Sequence, residues 1–207
     1  MRTAVFTLLS VTVGALVVAA CNGNTSATRT DEHAPTVATS SVVVHPAVAW
    51  PAVSSADDGA LASLSRSGDK NDVDVRALVS RSPVPVLAPK NTRLTTPTLV
   101  VEGEYFALTG RVAEGSSVAT VSIQGTRAAH RYESVDPLQG TRDVGRGKAN
   151  RGFVTVNEGI RTASWIENGT AYSVDEECSE STDSRCKGEE FLLSIVAQLT
   201  FVGGSGR

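Results

Sequence analysis

The sequence predicts an α+β domain, mainly an antiparallel β-meander with a C-terminal helix packed on the sheet, after a disordered N-terminal tether. Three observations carry this expectation. Between about residues 98 and 176, short segments of strand-forming residues follow one another, each bounded by Gly, Pro or Asx, as strands usually are. Asn168-Gly169 lies between two such segments, and this dipeptide favours a two-residue type I′ hairpin turn. After Glu189 and Glu190, Phe191, Leu192, Ile195, Val196 and Leu199 recur at the helical period.

In chain order, Arg2 precedes Val5 to Ala20, an uncharged and almost wholly apolar run of 16 residues. A spanning helix needs about 20 such residues, so a cleaved signal segment fits better than a permanent span. The run ends in Val18-Ala19-Ala20-Cys21, which resembles the lipobox of bacterial lipoproteins. The resemblance implies cleavage before Cys21 and acylation of its thiol. At about 0.8 kcal/mol per buried methylene, two or three acyl chains hold a protein on a membrane essentially permanently. Asn22 in the next position resembles lipoproteins exported onward to an outer membrane.

Residues 1–20 are thus read as a lipoprotein signal peptide. Residues 21–71, rich in Ser, Thr, Ala and Asp and broken by Pro35, Pro46 and Pro51, are read as a lipidated cysteine and flexible tether. Such a stretch has too little apolar surface to offset its ordering entropy. Ala60 to Leu64 suggests a transient helix. Val42-Val43-Val44 and Trp50 are apolar exceptions, read as incidental, with a docking segment as the alternative.

Residues 72–203 are assigned to the domain and 204–207 to a flexible tail. Val75, Leu78 and Val79 predict a short helix. Pro83, Pro85 and Pro89 then force Ser82 to Pro89 into an extended segment, an edge strand or polyproline stretch packed on the domain, with a proline-rich recognition ligand as the alternative. Strands are expected at 98–101, 105–110, 117–124, 127–132, 153–156, 160–167 and 170–176. A turn at Asn168-Gly169 places Glu167 opposite Thr170. Counting outward puts Trp165 opposite Tyr172, Ala163 opposite Val174 and Arg161 opposite Glu176. The aromatic pair is read as core, with an exposed stacking platform as the alternative. Phe201-Val202 can add a last strand. The stretch Ala163 to Ser173 with its following helix is similar to the C-terminal part of β-rich half-barrel domains in bacterial envelope sensors and lipoprotein carriers. That likeness implies a lipidic or protein partner rather than catalysis.

Removing Cys21 from the three cysteines leaves Cys178 and Cys186, which an oxidising compartment would join as a disulfide. Closing so short a loop is worth about 2.6 kcal/mol in the chain-entropy description. A metal pair or a redox pair is the alternative to a structural disulfide, but Cys-x7-Cys is not zinc spacing and no histidine is near in sequence.

Chemistry-bearing patterns are sparse. The histidines are His33, His45 and His130. A triad of His130 with Glu133 or Asp136 and a serine lacks a Gly-x-Ser-x-Gly elbow. No metal and no cofactor is expected. Arg142, Arg146, Lys148 and Arg151 crowd a Gly-rich stretch suited to phosphate or carboxylate, and they are the candidate anion-binding residues, against a solvated hairpin loop. A net charge of −3 gives no footprint for nucleic acid. The expectation is a non-catalytic, lipid-anchored envelope protein that binds a protein, a lipid or a wall polymer; a tethered hydrolase is the alternative.

Overall fold

The computed structural model describes residues 41–44, 47–52, 55–65, 74–132, 140–180 and 182–205. The run read as a signal segment, Cys21, His33, His45, Glu133, Asp136 and the side chain of His130 lie outside the described residues. No helix among the described residues is long and apolar enough to cross a membrane.

The strands are β1 (Ser41–Val44), β2 (Val86–Pro89), β3 (Thr95–Glu102), β4 (Tyr105–Glu114), β5 (Ser117–Thr126), β6 (Ala129–Tyr132), β7 (Arg142–Asp143), β8 (Arg151–Asn157), β9 (Ile160–Glu167), β10 (Thr170–Cys178) and β11 (Leu199–Gly203). The helices are α1 (Asp58–Leu64), α2 (Val75–Ser80) and α3 (Glu190–Gln198). Seven strands form one antiparallel sheet in the order β3-β4-β5-β10-β9-β8-β7. Neighbours in sequence are neighbours in the sheet except at its middle, where β5 pairs with β10. Two smaller antiparallel pairs, β1 with β6 and β2 with β11, complete the strands.

The hairpin at Asn168-Gly169 has the expected register: Glu167 faces Thr170, Trp165 faces Tyr172, Ala163 faces Val174 and Arg161 faces Glu176. Both turn residues have positive φ, 55° and 74°, as a type I′ turn requires. Alternation then decides burial, because successive side chains on a strand point to opposite faces. Phe106, Leu108, Val121, Ile123, Ala163, Trp165, Tyr172 and Val174 are buried on one face. Leu192, Ile195 and Val196 of α3 pack into the same core, with Val84, Val86, Leu87 and Ala88 from the proline-rich segment and Val202 from β11. Pro89 sits opposite Leu199, at the end of a two-stranded pair, where its missing N–H costs least.

One row crosses the sheet through paired positions: Val101, Phe106, Gly125, Tyr172, Trp165 and Gly152. Trp165 and Tyr172 stack with ring centroids 5.4 Å apart, and the Tyr172 ring lies 6.4 Å from that of Phe106. Tyr172 donates its hydroxyl hydrogen to the Pro85 carbonyl at 2.9 Å, tying the sheet to the proline segment. These rings are core, as the sequence favours.

The tether expectation is corrected over part of its length. Residues 47–52 and 55–65 pack onto the domain rather than leading to it. Ala49 donates its N–H to the Asn168 carbonyl and Asp57 donates its own to Phe201, so this segment runs over the β9–β10 turn and reaches β11. Asp57 caps α1 by accepting from Ala60 N at 3.0 Å, and Ala60, Leu61 and Leu64 are buried. The physical reason is that a helix with one apolar stripe needs only one cavity to fill, and the domain provides it. Val42 to Val44 lie in β1, which pairs antiparallel with β6. The tail expectation changes as well: Ser205 donates its N–H to the Ser82 carbonyl, so residues 204 and 205 are docked.

Candidate functional site

The four cations of the basic stretch do not converge on one point. Arg146 is consumed by the fold. Its guanidinium forms a two-pronged pair with Glu167, at 2.8 and 2.9 Å, and donates to the Leu199 carbonyl at 2.6 Å. It also lies 5.9 Å from the centroid of the Trp165 ring, whose indole N–H donates to Glu167 at 3.0 Å. Arg142 pairs with Glu189 at 2.6 Å. Arg151 donates to the Thr141 carbonyl, while Lys148 is exposed. Lys148 and Arg151 remain together, at the edge of a hollow on the sheet.

That hollow belongs to the face opposite the core. Among the described residues, α3, α1 and β2 with β11 all pack on the buried face, and alternation sends Phe153, Ser164, Ile166, Ala171, Ser173, Gln124 and Tyr105 to the other. Two adjoining hollows of about 620 and 500 Å³ share Ser164, Ala171 and Tyr172. The first is bordered by Lys148, Arg151, Phe153 and Ile166, and the second by Tyr105, Gln124 and Thr126. Ile166 is 63 % exposed and Tyr105 39 %, so apolar surface faces solvent here. Further along the same face the surface turns polar: Thr109 and Ser122 share a hydrogen bond of 2.9 Å, and Asp175 accepts from Thr162 at 2.7 Å and from Gln124 at 3.1 Å. The arrangement offers an apolar trough with two cations at one end, suited to an amphiphile or an extended polymer carrying negative charge.

The cysteine loop forms the second notable place. Cys178 and Cys186 are joined, with Cα atoms 6.2 Å apart. The polar loop between them is ordered by an ion pair: Asp183 and Arg185 are both buried and meet at 2.5 Å, and Arg185 also donates to the Val112 carbonyl at 2.8 Å and lies 5.7 Å from the Phe191 ring centroid. That pairing holds the Asp183 carboxyl below its ordinary range. Glu176, 1 % exposed, lies against this loop with Oε1 3.1 Å from Cys186 Sγ and Oε2 3.8 Å from Arg161 Nη1. Burial pushes its carboxyl up to about 7, against the opposing pull of Arg161.

The sequence pairs Glu176 with Arg161 but does not single it out. The signal was present: Tyr172 and Val174 point inward, so Glu176, two residues on, must as well. No family profile, curated protein or solved structure matches the chain.

Proposed function

We propose that this chain is a bacterial envelope lipoprotein, acylated on Cys21 and exported towards an outer membrane, whose domain binds a partner without catalysing a reaction. The observation that carries the binding half of this reading is the sheet face that no described element covers, with its apolar trough and the cations Lys148 and Arg151 at one end. The lipobox at Val18 to Cys21 supports the anchor. A lipid, a wall polymer or an envelope protein with anionic groups would match the trough, with apolar contact supplying affinity and charge supplying orientation.

Two measurements test the reading. Intact-mass analysis of membrane fractions should find a species beginning at Cys21 and carrying acyl mass in the wild type, and none in Cys21→Ser; a soluble, unacylated wild type refutes the anchor. Sedimentation of the purified domain with anionic lipid vesicles and with wall fragments should show binding that weakens with salt. Ile166→Asp or Lys148→Ala with Arg151→Ala should reduce that binding at least fivefold. Binding that none of these substitutions alters places the partner elsewhere.

A further inference from the structure

We propose that Cys178–Cys186 is an exchangeable disulfide with a built-in proton donor, Glu176, and that it reacts with a dithiol. The contact between Cys186 Sγ and Glu176 Oε1, at 3.1 Å, is the starting point. A disulfide sulfur carries no hydrogen, so only a protonated carboxyl can make this a hydrogen bond, with the carboxyl donating. The surroundings keep that proton in place. Glu176 is almost fully buried, and its raised carboxyl range leaves it protonated through mildly acidic pH. Arg161, Asp183 and Arg185 are the charged groups that act on it; Asp183 and Arg185 are committed to each other. Arg161 is only partly engaged: it donates to the Cys186 carbonyl at 3.0 Å, but its Nε and the Glu176 Oε2 have no hydrogen-bond partner. A buried acid and a partly buried cation stand side by side with bonding capacity unused. Such a pair stabilises the carboxylate once the proton leaves.

Cys178 and Cys186 are both only partly buried, and Cys186 is the sulfur next to the acid. The geometry therefore assigns distinct roles to the two sulfurs. A thiolate of the dithiol attacks Cys178 Sγ, the Sγ–Sγ bond breaks, and its electron pair goes to Cys186 Sγ. Cys186 takes the Glu176 proton and becomes a thiol, and the new carboxylate turns to Arg161. The second thiol of the dithiol loses its proton to solvent and attacks the mixed disulfide, releasing Cys178 as a thiolate that solvent protonates. The dithiol is oxidised to a disulfide, the protein pair is reduced to two thiols, and Glu176 regains its proton from solvent. Protonating a leaving thiolate lowers its barrier in the way general acids do.

The test is the rate of reduction of the mature chain by dithiothreitol between pH 5.5 and 9, divided by the concentration of dithiothreitol thiolate. The wild type should show a level rate below about pH 7 that falls above it as Glu176 loses its proton. Glu176→Gln should be on the order of tenfold slower below pH 7 and level throughout. Arg161→Gln, which keeps the acid and removes its cation, should move the wild-type inflection to higher pH. Circular dichroism at each pH confirms that the variants remain folded. Equal rates and profiles for wild type and Glu176→Gln overturn the proposal. So does a rate independent of dithiothreitol concentration, since only the unfolded chain would then be reacting.

Discussion

At Gly125 the sheet has no room for a side chain: a Cβ there would come within 2.5 Å of Phe106 and 2.8 Å of Tyr172. The glycine makes space for two rings that meet above it. Gly125→Ala should destabilise the domain by about 1–3 kcal/mol through forced displacement of those rings, measured by denaturant unfolding. Arg146 and Lys148 are two residues apart in one basic stretch yet differ in role. Arg146→Ala leaves Glu167 with only the Trp165 N–H and removes this donor from the Leu199 carbonyl, and should cost about 2 kcal/mol, whereas Lys148→Ala should stay within about 0.5 kcal/mol of wild type. Glu176 makes stability depend on pH. Its folded-state range lies above that of the unfolded chain, so the folded protein holds a proton that the unfolded one releases between roughly pH 4.5 and 7. Stability should therefore be full below that window, fall as pH rises through it by up to about 3 kcal/mol, and stay level above it. Glu176→Gln should remove most of this slope and raise stability at pH 8; an unchanged slope would show that other groups set it.

Among the elements, α1 tests whether the segment before residue 72 belongs to the domain. Leu61 is 5 % exposed, and Leu61→Ala should cost about 2–5 kcal/mol if the helix is docked, but almost nothing if it is a loose linker. The helix was visible in the sequence as Ala60 to Leu64, but its docking was not, because seven residues cannot report the shape of a distant cavity. The cysteine loop shows the same limit. Its pairing followed from counting cysteines, whereas the Asp183–Arg185 pair that orders it depends on Val112 and Phe191, far off in sequence. Replacing both cysteines by serine should cost about 2–3 kcal/mol, with the loop retaining part of its order through that ion pair.

For the whole molecule, local pattern was enough for most strands, for the β9–β10 register and for the terminal helix. Strand alternation and turn chemistry act over a few residues, so a single chain displays them openly. Asn168-Gly169 determined which side chains face one another across the hairpin, and with it the stacking of Trp165 on Tyr172. The proposed signal segment and lipobox rest on linear patterns alone, which no fold is needed to display. The tertiary structure alone decided that β5 lies beside β10, that among the described residues one sheet face is covered and the other open, and which cations of the basic stretch are bound into the fold. It also decided that a buried acid touches the disulfide. These depend on contacts between residues tens of positions apart, and the free energy of such contacts comes from shared burial, which no local pattern records.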